Sequence, residues 1–392
     1  MRILLILIIG FLTFLYSCTP GLDKSNQSQS TKKLSPEELI IELKKEGNKG
    51  DVDAQNLLGD IYYEGIETPK DYKQAFHWYK KSALNNNEYG HYKLGILFLY
   101  GEGVNPNALK AFNSFKRSAK LGNSNAQFEL AQMYESGKSS FKEPKLAFFW
   151  YQKSAKRNNA RSQNKLGIFF KNGVGIEKDS DKAFFWLEKS AQNGDKFGQF
   201  NLSILYEKGV GTKKDIQKAF EWCEKSAEQG LDLAQNKLSI FYENGKGIEK
   251  NFRQSFYWIQ KSAEQGNDIA QNKLGNMYEE GIGTDQNYKK AFYWYKRSSN
   301  HGSALGQYNL GLIYQNGNGS GNGYKHSNKI YYAFSWFLKS AHQGFPDAQY
   351  KVGEYYYYGR GTTRNRTKAQ DWLEKAAENG NRPAKLFLSK KK

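Results

Sequence analysis

Two cysteines, five histidines and one serine–lysine pair are the groups of this 392-residue chain equipped for covalent or metal chemistry. Cys18 stands just behind the apolar run Ile3 to Tyr16, at the end of an N-terminal leader-like segment. Cys223 lies far along the chain, so no disulfide framework is indicated. Ser162 and Lys165 have the S-x-x-K spacing that β-lactam-reactive enzymes use for a hydroxyl nucleophile and its lysine. The equivalent stretches Ala234-Gln-Asn-Lys237 and Ala270-Gln-Asn-Lys273 lack the hydroxyl, and no S-D-N or K-T-G companion exists. A cell-wall-active enzyme such as a β-lactam hydrolase thus rests on a fragment of its signature. His77, His91, His301, His326 and His342 are scattered without metal-ligand spacing, and the acidic residues form no identifiable pair. Gly101-Glu-Gly103 and Gly209-Val-Gly211 read as turns, not phosphate loops. No catalytic residue, metal or cofactor is expected, so the work of the chain should be binding.

The surroundings of Cys18 say what its thiol is for. Arg2 supplies a positive end, and the 14-residue apolar run falls short of the roughly 20 residues that span a bilayer, so residues 1–17 read as a signal peptide. Leu15-Tyr16-Ser17-Cys18 resembles the bacterial lipobox, in which the cysteine is diacylated and becomes the new first residue. The resemblance implies a lipid anchor in the cell envelope, each buried methylene adding about 0.8 kcal/mol to attachment. Thr19, being other than Asp, implies the outer membrane by the same resemblance. Residues 18–33, rich in Ser, Gln, Asn and Lys, read as a flexible tether. The formal charge of +19 favours anionic partners such as a lipid surface or an acidic polymer. A nucleic-acid partner is not expected.

The elements that carry these groups recur. Ala54-Gln-Asn-Leu-Leu-Gly59-Asp-Ile-Tyr62-Tyr-Glu-Gly65 returns as Ala270-Gln-Asn-Lys-Leu-Gly275-Asn-Met-Tyr278-Glu-Glu-Gly281. The Gly59 position recurs at 95, 131, 167, 203, 239, 275 and 311, each 36 residues on, and then at 353. Six residues after it, Gly is present all nine times. A fixed period of this length signals a stacked array. Ala54, Leu58, Gly59 and Tyr62 share one helix face, and the Gly65 column ends that first helix. Asp71, Asn107, Asp179, Asp215, Asn251, Asn287 and Asn365 are N-caps for a second helix, with Glu143 in the third repeat. Seven residues past the cap runs a tryptophan column, Trp78 to Trp372, broken by Ser114 and expected to serve the stack. Cys223 follows Trp222 in a column of packing residues, and the second helix closes at Gly or Asn.

The pattern A-x-x-x-L-G-x-x-Y-x-x-G, then A-x-x-W-x-x-x-(A/S)-A-x-x-G, resembles the Sel1-like repeat family, a tetratricopeptide-like class. The resemblance implies an all-α, right-handed superhelical solenoid of antiparallel helix pairs, with nine repeats of about 36 residues over 51–380. It also implies an adaptor that binds proteins or peptides. The cysteine-rich members of the family, named for β-lactam binding, are not matched, because the repeats hold only Cys223. Residues 34–50 read as an N-terminal capping helix and 381–392 as a C-terminal capping helix with a basic tail. The eighth repeat carries a Gly/Asn-rich insertion, Gly317 to Asn328, without the acidic ligands of a calcium loop.

Two surfaces are candidates for binding. On the first helix, the positions three before, one after and four after the anchor share a face and vary between repeats: Tyr92 and Ile96, Phe128, Phe200 and Ile204, Tyr308 and Leu312, Tyr350 and Tyr357. In tetratricopeptide-like arrays such a face receives peptides. On the second helix, every repeat carries one cation, from Lys81 and Arg117 to Lys375, a basic ladder suited to an anionic polymer.

Overall fold

The computed structural model describes residues 35–137, 142–317 and 326–389, and over these residues it contains twenty α-helices and no strand. The signal, tether, lipobox cysteine, basic tail and most of the eighth-repeat insertion lie outside the described residues. α1 (Pro36–Lys49) stands alone at the start. Nine antiparallel pairs follow: α2 (Val52–Glu64) with α3 (Tyr72–Leu84), α4 (Glu88–Tyr100) with α5 (Ala108–Leu121), and α6 (Ser124–Ser136) with α7 (Pro144–Lys156). Next come α8 (Ala160–Asn172) with α9 (Ser180–Gln192), α10 (Lys196–Lys208) with α11 (Ile216–Glu228), and α12 (Asp232–Asn244) with α13 (Phe252–Glu264). The last are α14 (Asp268–Glu280) with α15 (Tyr288–Asn300), α16 (Ala304–Asn316) with α17 (His326–His342), and α18 (Pro346–Tyr358) with α19 (Arg366–Glu378). α20 (Arg382–Ser389) packs on α19 at the far end.

Local chemistry sets these boundaries. The Asp71 carboxylate accepts from the Lys73 and Gln74 amides at 3.0 Å, and Asn107, Asp179, Asp215, Asn251, Asn287 and Asn365 cap their helices in the same manner. Glu143 makes no side-chain cap; α7 instead begins with Pro144, whose fixed φ and missing N–H suit a first turn. Gly65 ends α2 at φ +70°, in the left-handed region. Asn86 and Asn158, which close α3 and α7, reach φ +56° and +60°, a conformation that Asn tolerates better than other side chains.

The anchor position is small because its partner is large. A Cβ on Gly59 would collide with the Tyr79 ring, one on Gly95 with Phe115, and one on Gly275 with Tyr295. The column of these partners, Tyr79, Phe115, Tyr151, Leu187, Cys223, Ile259, Tyr295, Phe337 and Leu373, is buried throughout. Cys223 is therefore a packing residue. Its Sγ donates to the Ala234 carbonyl at 3.4 Å, and burial pushes its pKa up to about 12. The tryptophans, one residue earlier and so rotated by about 100° on the helix, are less enclosed than expected. Trp78 and Trp294 are buried, while the other six are half-buried at the edge of the core.

Buried amides fasten one repeat to the next. Gln55, Gln127, Gln163, Gln199, Gln235, Gln271 and Gln349 each donate from Nε2 to a backbone carbonyl of the preceding second helix or, for Gln55, of α1. In return Asn193, Gln229, Gln265 and Asn379 donate to the Oε1 of Gln163, Gln199, Gln235 and Gln349 at 2.7–2.9 Å. Arg157 and His301 occupy that donor position in the third and seventh repeats, and there Gln127 and Gln271 Oε1 have no partner among the described groups. First helices of neighbouring repeats approach one another directly, α8 to α10 and α14 to α16, more closely than successive second helices do. The first helices thus line the inside of the stack and the second helices its outside.

Candidate partner-binding surfaces

The inner face is more enclosed than the variable positions on it suggest. Phe128 is 2% exposed, between the Tyr151 ring at 5.7 Å and the Arg161 guanidinium at 4.0 Å, and is core rather than contact surface. Arg161 closes over it because its charge is held by Glu129 at 3.5 Å. Burial raises the Glu129 pKa above the usual carboxylate range, with Arg161 acting against that rise. Tyr92 and Tyr308 are half-buried, with rings 6.1 and 5.6 Å from Phe115 and Phe337. Ile96, Phe200, Ile204, Leu312 and Tyr350 are half-buried too, and Tyr357 lies edge-on to Phe387 of α20 at 5.3 Å. These columns are shared between packing and surface.

The exposed apolar part of this face lies two turns earlier. Phe197 of α10, Leu233 of α12, Ile269 of α14 and Leu305 of α16 hold the same register on four consecutive first helices, each between 42 and 60% exposed. Phe197 is seven residues before Ile204, so the rail and the half-buried columns share one helical face. Arg161 and Asp347 occupy the register on either side and make the rail's ends polar. The signal was present in the sequence, as four consecutive apolar residues in a column otherwise filled by Asp53, Tyr89, Asn125, Arg161 and Asp347.

Along the inner face, charges are paired across repeats. Lys93 meets Asp60 at 3.0 Å, Lys165 meets Glu135 at 3.0 Å, and Lys237 and Lys273 meet Glu207 and Glu243 at 2.5 Å. Tyr79, Tyr151 and Tyr295 also donate hydroxyls to Asp60, Glu135 and Glu279. Burial and these carboxylates push the three phenols well above the usual tyrosine range. The Glu207–Lys237 pair borders an open cavity of about 550 Å³, lined also by Ile216 and by Lys208, Lys214 and Lys246. Those three lysines have no carboxylate partner among the described residues.

The outer face carries its charge differently. The ladder cations lie over rings of their own repeat: Lys81 over Trp78 at 4.6 Å, Lys225 over Trp222 and Lys339 over Trp336 at 4.1 Å, and Lys375 over Trp372 at 4.9 Å. None of the nine ladder cations forms an ion pair among the described residues. Stems cover apolar surface while the heads stay wet. In five repeats another ring precedes the tryptophan, the imidazole of His77 and the rings of Phe149, Phe185, Tyr257 and Tyr293, edge-on to it at 5.0–5.2 Å.

Catalytic machinery does not assemble from the candidate pair. Ser162 is buried and donates to Ser154 at 2.7 Å, while Lys165 is held by Glu135. Among the described residues no His, Cys, Asp and Glu group could hold a metal ion, and no helix is long and apolar enough to cross a membrane.

A stack of antiparallel helix pairs, first helices inside and a mixed apolar and ionic lining along them, defines a tetratricopeptide-like α-solenoid. The Sel1 repeat model matches residues 52–87, 89–123, 124–159, 160–195, 197–231, 232–267, 268–303, 304–345 and 346–381, and the chain belongs to the Sel1 repeat family. It is similar to a protective antigen present in uropathogenic Escherichia coli strains, whose crystal structure displays an SLR fold. The two are 32% identical, with a TM-score of 0.73, over 90% of this chain and 74% of that one. A Sel1 repeat protein from Oxalobacter formigenes is 26% identical, with a TM-score of 0.56, over 97% of this chain and 99% of its own. A putative sel1-like repeat-containing protein of Acanthamoeba polyphaga mimivirus is 51% identical over 41 residues, 10% of this chain and 7% of that relative's length.

Proposed function

We propose that the chain is a scaffold, lipid-anchored at Cys18 to a bacterial envelope, that holds a protein or peptide partner along the inner face of its fifth to eighth repeats. The observation that carries this reading is the rail of Phe197, Leu233, Ile269 and Leu305. Four large apolar side chains in one register, exposed on adjoining helices, leave an apolar strip open to solvent. The cavity with Lys208, Lys214 and Lys246, at the other end of the same first helices, gives an acidic group of a partner that crosses the inner face a place to dock. The test places a photo-crosslinking residue at Leu233 and, as a control, at Lys116 on the outer face. A partner crosslinked from position 233, not from 116, and lost in a Phe197→Ser, Ile269→Ser, Leu305→Ser variant of unchanged melting temperature supports the groove. Equal crosslinking from both positions, or survival in the triple variant, removes it.

The anchor has its own test. Fatty-acid labelling and membrane fractionation should be lost together in Cys18→Ser; an unlabelled, soluble wild-type chain would overturn the lipid anchor and the envelope location with it.

A further inference from the structure

We propose that the outer ridge of second helices binds an acidic polysaccharide, at two sites separated by the fifth repeat. This activity is independent of the inner groove. The building block is a ring between two cations on one helix face, at i−4 and i+4. Lys145, Phe149 and Lys153 form one such triplet on α7. Arg253, Tyr257 and Lys261 form another on α13, and Lys289, Tyr293 and Arg297 a third on α15. Phe185 on α9 has Lys189 at i+4 but Asp181 at i−4, which makes it the weakest of the four positions for an anion. The four rings are 42–51% exposed. No cation of the triplets forms an ion pair among the described residues.

The geometry selects the ligand. The i+4 cation lies over each exposed ring, Lys153 at 4.7 Å, Lys189 at 4.6 Å, Lys261 at 5.2 Å and Arg297 at 5.9 Å from the centroids, so a ligand stacked on the open part of a ring has a cation immediately beside it. The best match is a monomer that carries its negative charge directly on the ring it stacks, as a uronic acid does: its C–H face meets the electron-rich aromatic face while its carboxylate meets Lys or Arg. A nucleotide separates phosphate from base by a whole sugar, and an acyl lipid keeps its charge at one end. In the fifth repeat the ring position is Glu221, followed by Glu228, which repels a polyanion and divides the ridge into repeats 3–4 and repeats 6–7. A chain long enough to reach both sites gains by linking them.

The probe is a fluorescent polygalacturonate oligomer titrated by anisotropy into the full-length protein, with neutral dextran, an oligodeoxythymidine of similar length and phosphatidylglycerol vesicles as comparators. Expected is saturable binding of polygalacturonate in preference to all three. Phe149→Ala with Phe185→Ala should weaken it about tenfold, and Tyr257→Ala with Tyr293→Ala should do the same. Lys145, Arg253 and Lys289 contact no ring and no carboxylate among the described residues, so Lys145→Gln, Arg253→Gln and Lys289→Gln together should leave the melting temperature unchanged while lowering both the affinity and its salt dependence. Absence of polygalacturonate binding overturns the proposal. So does binding that survives loss of all four rings, and so does tighter, ring-dependent binding of the oligonucleotide or the vesicles.

Discussion

The inner and outer faces carry similar lysines and use them in opposite ways. Inside, Lys93, Lys165, Lys237 and Lys273 each answer a carboxylate on the neighbouring first helix, so each inner cation joins two repeats. Outside, Lys153, Lys189, Lys225 and Lys339 lie over rings of their own helix and pair with no carboxylate, and the ladder cations that do reach a neighbouring unit, Lys81 and Arg117, donate to the neutral Asn48 and Asn86. The excess charge of the chain is therefore concentrated on its outside, while the inside is close to neutral and made selective by its apolar rail.

The largest expected effect lies between the two faces. Tyr151→Ala empties a sealed site and should cost about 3–5 kcal/mol in denaturant unfolding. Trp222→Ala, at the half-buried edge, should cost about half as much; equal losses would mean that the two columns do not differ as described. Next, His301→Asn should give Gln271 Oε1 the donor it lacks and raise stability by about 1 kcal/mol. Lys237→Met breaks an inner pair whose side chains are 26% and 19% exposed, and should cost about 0.5–1 kcal/mol, less at high salt. Lys225→Met on the outer face should cost less than about 0.5 kcal/mol, and a larger loss there than at Lys237 would reverse the contrast. The smallest effect belongs to Glu129→Gln. The raised pKa of that carboxylate means that its charged form is disfavoured by folding, so the amide should melt within about 0.5 kcal/mol of wild type near neutral pH. Its relative stability should improve as pH rises through the folded pKa, where wild type must bury the charge.

The period, the caps and the closing residues were legible in the sequence because each reports a local backbone requirement that recurs in most or all of the nine repeats. Burial was less legible. Trp222 and Cys223 are adjacent and both fit a packed helix, and only the small anchor at Ser203 opposite Cys223 decides which one is sealed. Phe128 looked equivalent to Phe200, yet Arg161 covers the first while Leu233 stands exposed in the matching place beside the second. One residue in the next repeat decides whether a ring is core or surface. The rail required reading a column for runs across repeats, not for variety, and the Ala-Gln pair gave no hint of which carbonyl its amide would find.

The buried glutamine contacts fix the junction between successive units at one length. Gln199 reaches the Ala191 carbonyl at 3.4 Å, and Gln235 reaches Ala227 at 3.1 Å, each spanning eight residues. Excise residues 197–232, and Gln235 inherits the position of Gln199 opposite Ala191 with every neighbouring contact in register. A cut that removes part of a helix leaves buried amides facing the wrong carbonyls, whereas the longer eighth repeat takes its extra residues between its two helices and keeps the Gln349 contact to Ala341. Duplication and loss within a gene for such a chain are thus filtered toward whole units, and each accepted step lengthens or shortens the apolar rail by one side chain. Partner size is then a quantity that recombination alone can adjust, without a single point mutation.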